Sequence, residues 1–278
     1  MSLSTAFKLT SLAMALLMAV ASVKAGDPAS GKIERMASGA TLRFTVLYDN
    51  YLHKEGTRAD WGFSCLIEGA DKTILFDTGT DPKILMHNVQ ALDVDLNKVD
   101  LVVITHNHGD HTGGLPAVLE RRTGIPVYFP VSFPAEFGRR VESLGAQAKT
   151  VDEPVEICEN VHLTGELGEA IKEQALFIDT PDGLVVVTGC SHPGIVKILR
   201  RAREIVDKPI ALVFGGFHLG NMKDADVEAI IAEFKDLGVV KCGATHCTGD
   251  KPIALFKKAF GANYVPIGTG RILEVAGY

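Results

Sequence analysis

The chain has 278 residues, with 28 basic and 34 acidic side chains and a formal charge of -6. That balance, without a basic tract, argues against electrostatic capture of nucleic acid. Five cysteines, an odd number spread along the chain, exclude a dense disulfide framework.

The first residues read as a targeting segment. Lys8 gives a positive start, Leu9 to Val20 is apolar, and small residues permit cleavage after Ala21 or Ala25. Residues 1–25 are therefore expected to be a signal peptide, with export to the periplasm or medium; a retained amino-terminal anchor is the alternative. The apolar run is too short for a comfortable membrane span, and no stable membrane insertion is expected after its removal. The remaining chain carries a charge near -8, because Lys8 and Lys24 leave with the segment. Residues 26–40 form a polar lead-in, and 41–278 are sized for one α/β domain of two packed halves.

Leu42–Tyr48 alternates as a half-buried strand. Tyr51 to Trp61 reads as a loop, and Gly62–Glu68 with Thr73–Asp77 as a hairpin. Asp77-Thr78-Gly79 ends it; alone, this is an aspartate accepting backbone hydrogen bonds in a turn. A helix from about Asp81 to Val89 leads to an apolar strand over 99–105. That strand delivers His106-Asn107-His108-Gly109-Asp110-His111, followed by Gly113-Gly114. Four potential ligands in six residues at a strand end point to a metal site, since imidazole and carboxylate suit zinc, iron or manganese. His106 and His108 can hold one ion, while Asp110 and His111 point elsewhere and can hold a second.

This stretch resembles the His-x-His-x-Asp-His signature of the metallo-β-lactamase superfamily. The resemblance implies an α/β fold, a four-layer αββα sandwich with a hydrolytic metal centre between its sheets. It also implies that Asp77 braces a ligand histidine by accepting its distal N–H rather than ligating.

Beyond the loop, a helix is expected over 113–122, a strand over 126–129 and a helix from Phe133 to Leu144. Arg139 and Arg140 on that helix read as a solvated face or as a clamp for a phosphate or carboxylate, for which a planar donor fork is suited. Trp61, Tyr128, Phe129 and Phe133 are core residues or an apolar wall for substrate. Val155–Ile157 and Val161–Thr164 precede Gly165-Glu166-Leu167-Gly168. The superfamily usually has a third ligand histidine in this loop; here Glu166 stands there, as a ligand, a base near the ions or a loop-stabilising carboxylate. His162 falls within the strand and reads as structural.

Glu173–Ile178 and Leu184–Thr188 are paired strand candidates, the second ending in Gly189-Cys190-Ser191-His192-Pro193-Gly194. Superfamily members commonly end this strand with a bridging aspartate. With Cys190 there instead, His192 is the stronger ligand candidate, and Cys190 is a soft ligand or a small buried side chain, the latter favoured. After an amphipathic helix over 195–206, strands near 210–214 and 239–244 flank a helix over 225–237. They deliver His218 and His246 to glycine-bounded loops. His246 matches the superfamily's last ligand position, beside Asp110 and His111. His218 binds substrate, stabilises charge or is a packed turn residue. The intervening strand should keep Cys242 and Cys247 too far apart to bridge, so mostly free thiols are expected. Helix 250–260 and strands near 264–266 and 271–275 close the chain.

Gly189–Gly194, Gly215-Gly216-Phe217-His218-Leu219 and His246-Cys247-Thr248-Gly249 resemble a narrower branch. It is named for 7,8-dihydropterin-6-methyl-4-(β-D-ribofuranosyl)aminobenzene-5'-phosphate synthase. The resemblance covers roughly residues 41–275. Where the branch commonly has an acidic residue and histidine before a glycine, this chain reads Asp60-Trp61-Gly62. The expected activity is metal-dependent hydrolysis of a small anionic ester, lactam or phosphoester by a metal-activated water. His106, His108 and His192 would hold one zinc ion and Asp110, His111 and His246 the other. Asp110, Glu166 and His218 are the catalytic candidates, and Trp61, Arg139 and Arg140 the substrate contacts. Transfer joining a dihydropterin to an aminobenzene ribofuranosyl phosphate is the alternative, and metal binding without turnover the third reading.

Overall fold

The computed structural model describes residues 41–277; the expected signal peptide and lead-in lie outside them. Seven strands form the first sheet: β1 (Thr41–Tyr48), β2 (Ser64–Glu68), β3 (Ile74–Phe76), β4 (Leu101–Val103), β5 (Pro126–Pro130), β6 (Gln147–Val151) and, from the far end of the chain, β13 (Ile272–Ala276). Their order is β13-β1-β2-β3-β4-β5-β6, antiparallel as far as β3 and parallel from β3 to β6. The second sheet holds β7 (Val155–Cys158), β8 (Val161–Leu163), β9 (Leu176–Thr180), β10 (Gly183–Thr188), β11 (Ile210–Gly216) and β12 (Lys241–Thr245), in the order β12-β11-β10-β9-β8-β7. Only β10, β11 and β12 are mutually parallel.

The two sheets pack face to face through an apolar layer that includes Phe44, Phe63, Phe76, Val103, Leu176, Val187 and Phe214. Helices α1 (Pro82–Ala91), α3 (Leu115–Leu119) and α4 (Ala135–Ser143) cover the outer face of the first sheet. Helices α5 (Ile195–Ile205), α6 (Asp224–Asp236) and α7 (Asp250–Phe260) cover that of the second. The result is the αββα sandwich expected from the sequence. Strands covered on both sides are buried throughout, as Leu101, Val102 and Val103 are. Helix α5 buries Ile195, Ile198, Leu199 and Ala202, one stripe at helical spacing. Asp81 starts α1 by accepting the Lys83 N–H, with Pro82 at the first helical position.

Several local expectations are corrected. The helix expected over 113–122 shortens to α3 (Leu115–Leu119), preceded by a separate single turn, α2 (Gly109–Thr112). Gly113 and Gly114, between the two, pack against the Thr80 and Thr78 carbonyls so closely that no Cβ fits at either. Strand β6 escapes the sequence because Gln147, Lys149 and Thr150 are exposed on an edge and show no apolar alternation. The strand expected near 264–266 is only a bridge between Cys242 and Tyr264. All five cysteines are free. Among the described residues, no helix is long and apolar enough to cross a membrane.

Loops after β3, β4, β10, β11 and β12 carry Asp77, residues 105–112, residues 189–194, His218 and His246. They come together where carboxyl ends of parallel strands in an α/β layer leave room for chemistry. Asp77, Ser191, His218 and His246 all have positive φ, at 52°, 66°, 53° and 50°. Such backbone costs a non-glycine residue about 1–3 kcal/mol, and its concentration at one rim marks a functional edge.

Candidate metal centre

Two groups of donors meet at this rim. His106, His108 and His192 form one, and Asp110, His111, Cys190 and His246 the other; within each group the ligand atoms lie within 4.8 Å of one another. The division follows from α2 beginning at Gly109. His106, in a bend, and His108, on extended backbone, precede the turn, and Asp110 and His111 lie on the turn itself.

The donor spacing fits metal coordination. Bonds of about 2.0–2.2 Å in a tetrahedron set neighbouring donors roughly 3.3–3.6 Å apart. Cys190 Sγ is 3.3 Å from both His111 Nε2 and His246 Nε2. Asp110 Oδ2 is 3.4 Å from His246 Nε2 and 3.7 Å from His111 Nε2. In the other group His106 Nε2 is 3.1 Å from His108 Nδ1.

Acceptors on the far side of four rings fix which nitrogen is free. His111 Nδ1 lies 2.7 Å from Asp77 Oδ2, His192 Nδ1 2.8 Å from Glu173 Oε2, and His246 Nδ1 2.9 Å from Asn50 Oδ1. The Thr105 hydroxyl donates to Asp77 Oδ2 and so faces His106 Nδ1, at 2.9 Å, with its lone pair. Each Nδ1 is thereby held by a partner, which turns each Nε2 toward a cluster. Burial, followed by the neighbouring imidazoles, pushes His106 and His111 down to about 3, so both are neutral ligands at ordinary pH.

The carboxylates are tuned differently. Burial would raise Asp110, but the His246 hydrogen bond and the His111 and His246 rings outweigh it and hold it below the usual carboxylate range. Burial would likewise raise Glu173; His106, His192 and the backbone N–H groups of Ser191 and His192 instead bring it to about 2. Asp77 goes the other way, since burial pushes it up to about 8 against the Thr105 donors. A cation at the adjacent cluster favours its anion. These donors fit one or more metal ions.

A family model described as the metallo-beta-lactamase superfamily matches residues 62–199. The 7,8-dihydropterin-6-methyl-4-(beta-D-ribofuranosyl)-aminobenzene-5'-phosphate synthase of Methanocaldococcus jannaschii is 30% identical over 263 residues, covering 77% of this chain and 89% of that protein. The chain belongs to the metallo-beta-lactamase superfamily. Its likeness to the archaeal synthase supports placement in the synthase-like branch. Among solved structures of the superfamily, Tm1679, described as a metal-dependent hydrolase, is 30% identical with a TM-score of 0.72, covering 84% of this chain and 99% of that one. The metallo-beta-lactamase fold protein YhfI from Bacillus subtilis shares the fold, with a TM-score of 0.64 at 16% identity, covering 85% of this chain and 100% of that one.

Against this superfamily frame, some sequence candidates stand at the centre and others do not. A cleft of about 740 Å³ opens beside the second cluster, lined by Tyr51, Trp61, His218, Met222, His246 and Cys247 among others. Trp61 Nε1 donates to Asp110 Oδ2 at 2.8 Å, and its ring lies 5.1 Å from that of His246. His218 stands 4.4 Å, ring to ring, from His192. Cys190 is both buried and within the second cluster, so the two readings of it were not exclusive.

Glu166 belongs to none of the donor clusters found among the described residues. Its carboxylate accepts the Ser132 N–H at 2.8 Å and pairs with Lys172 at 3.0 Å, contacts that brace a loop. Arg139 and Arg140 are exposed on α4 and do not line the cleft; Arg139 pairs with Glu136 one turn away at 2.5 Å. In this structure both stand on the solvated face of the helix. His162 stacks on Phe177, 5.0 Å away, within the second sheet. Tyr128, Phe129 and Phe133 belong to the apolar layers.

Three residues at the centre went unmarked in the sequence. Glu173 is fully buried just before β9 and was taken as the start of that strand; its only signal is an acid abutting an apolar run. Asn50 braces His246, and nothing local distinguishes it from a turn residue. Cys247 directly follows His246, and nothing but its place in the His246–Gly249 motif singles it out in the sequence.

Proposed function

We propose that this protein is a metal-dependent transferase that joins an activated dihydropterin to an aminobenzene ribofuranosyl phosphate. The reading is carried by the similarity to the archaeal synthase, which extends across 89% of that protein. The cleft supports it chemically: Trp61 and Tyr51 offer flat faces for a pterin or aminobenzene ring next to the clustered histidines.

In this reading His106, His108 and His192 hold one zinc ion and Asp110, His111, Cys190 and His246 a second. Zinc there supplies Lewis acidity and neutralises charge on an anionic substrate group. Glu173, Asp77 and Asn50 keep the ligand imidazoles in the tautomer that presents Nε2. Trp61 orients Asp110 through its indole N–H and covers His246 from solvent. Joining the substrates forms a bond from the aminobenzene ring system to the pterin methyl carbon and releases the group that activates that carbon. The protein's part is to hold both rings in register at the cleft.

Hydrolysis of a small anionic ester or phosphoester is the second reading, favoured by the similarity to Tm1679. The two are separated by incubating zinc-loaded protein with the activated dihydropterin, the aminobenzene ribofuranosyl phosphate, or both, and resolving products by mass. The transferase reading expects the joined product only when both are present. Release of a hydrolysed fragment from one substrate alone, with no joined product, replaces it by the hydrolase reading. Full metal occupancy with no turnover of these or of a broad ester panel would leave a metal-binding protein.

A further inference from the structure

The transfer proposed above gives no task to Cys247 or His218, yet both face the cleft beside Cys190. We propose that Cys190, His218 and Cys247 form a further metal position, selective for a thiophilic ion and sharing the Cys190 sulfur with the Asp110–His111–His246 set.

Geometry carries this. The Cys190 and Cys247 sulfurs and a ring nitrogen of His218 all lie within 4.8 Å of one another. Neither thiol is in a disulfide. The Cys247 thiol is 3.5 Å from the Cys190 carbonyl, which ties the loop after β12 to the loop after β10. Two sulfurs and one imidazole are soft and borderline donors, suited to zinc, cadmium or monovalent copper and poorly to magnesium or calcium.

The backbone is shaped for this meeting. Gly216, the last residue of β11, lies between the two cysteine loops. A Cβ at that position would fall 2.8 Å from the Cys247 sulfur and 3.2 Å from the Cys190 Cα, so a side chain would force the thiols away from the strand. His218 is held at a φ of 53°, a conformation that imidazole-bearing residues adopt at a cost, and this turns its ring back over the cysteines. The position is also reachable. His218 is exposed, and both it and Cys247 line the cleft that opens past Trp61 and Met222.

Cys190 makes the two positions interdependent. Its sulfur already lies 3.3 Å from His111 Nε2 and from His246 Nε2, so one thiolate can serve ions on either side. Each thiol gives up its proton to solvent on binding, as thiolate ligation requires.

Cadmium alone is a suitable probe, because sulfur-to-cadmium charge transfer absorbs in the ultraviolet whereas histidine and carboxylate ligation does not. The full chain is stripped with chelator under reducing conditions and titrated with cadmium chloride. Wild type should develop the band of two thiolates; Cys247→Ser should lose about half its amplitude, and Cys158→Ser should match wild type. Differential alkylation of wild type, mapped by peptide mass, needs no variant: cadmium should slow labelling of Cys247 about 10-fold or more and leave Cys158 unchanged. Both readouts are independent of turnover, so the proposal stands or falls separately from the transferase reading. A full band in Cys247→Ser, or labelling of Cys247 at the same rate with and without cadmium, would overturn it. So would recovery of a Cys190–Cys247 disulfide that persists under the reducing conditions.

Discussion

One oxygen of Glu173 accepts both the backbone N–H and the ring Nδ1–H of His192, each at 2.8 Å. The other oxygen takes the N–H groups of Cys190 and Ser191, at 2.9 and 2.8 Å. A single buried carboxylate therefore organises the loop after β10, including donors of both clusters. It does so from before β9, on the neighbouring strand of the same sheet.

Glu173→Gln keeps the size of the side chain but removes its charge and one acceptor pattern. The variant should bind metal about 10–100-fold more weakly, as is usual when a partner behind a ligand is lost. Competition with a chromophoric chelator measures this. Affinity equal to wild type would mean that the loop orients His192 without Glu173.

His108 contributes a donor 3.1 Å from that of His106 and is partly exposed. His108→Ala should fold like wild type while losing about 100-fold or more in metal affinity at the three-histidine cluster. Metal analysis after gel filtration, alongside His53→Ala as a surface control, checks it. The single tryptophan offers a second readout. Because Trp61 rests on Asp110, adding metal to the stripped protein should change its emission, and a flat response would dissociate Trp61 from the second cluster.

Glu166→Gln tests the loop-bracing role. Burial would raise Glu166, but Ser132 and Lys172 outweigh it and lower its pKa below the usual value of 4.5. A depressed carboxylate adds stability that is fully present above 4.5 and fades as pH falls below it. At pH 7 the variant should be less stable by about 1 kcal/mol, since Lys172 is partly solvated. The gap should narrow on acidification, as denaturant melts at pH 7 and pH 4 will show. Its metal content should match wild type; loss of metal would restore Glu166 to the centre.

Arg139→Ala combined with Arg140→Ala should change substrate KM by less than about 2-fold, because exposed side chains paired within one helix contribute little. Steady-state assays on whichever substrate is turned over decide it. A large rise in KM would mean that α4 closes over the cleft during the reaction.

The elements legible in the sequence are those whose burial is one-sided or complete. The run Leu101–Ile104 could only be a covered strand, and the stripe through Ile195, Ile198 and Leu199 could only be a helix face. Edge strand β6 was not legible, because exposed Gln147 and Lys149 obey no apolar rule. The helix expected after the His loop is shorter than the sequence suggests, covering only Leu115–Leu119, and Gly113 before it packs against the Thr80 carbonyl, a contact remote in sequence.

By itself the sequence determined most of the strands and the histidine loop, since strand periodicity and ligand spacing within six residues are local properties of the chain; the sandwich was implied by the resemblance that loop carries. It also marked His192 and His246, each delivered by an apolar strand to a glycine-bounded turn. The two histidine sets were already assigned from the motifs; only the tertiary structure added Cys190 to the second set, because that depends on how separate strands end beside one another. Glu173 became a brace and Glu166 a loop tie for the same reason. Both are glutamates in glycine-flanked or strand-edge segments, and the difference lies in the partners that packing brings to each: three backbone N–H groups and His192 for one, Ser132 and Lys172 for the other. Cys247 gained its meaning only when β10 and β12 placed two thiols on either side of Gly216.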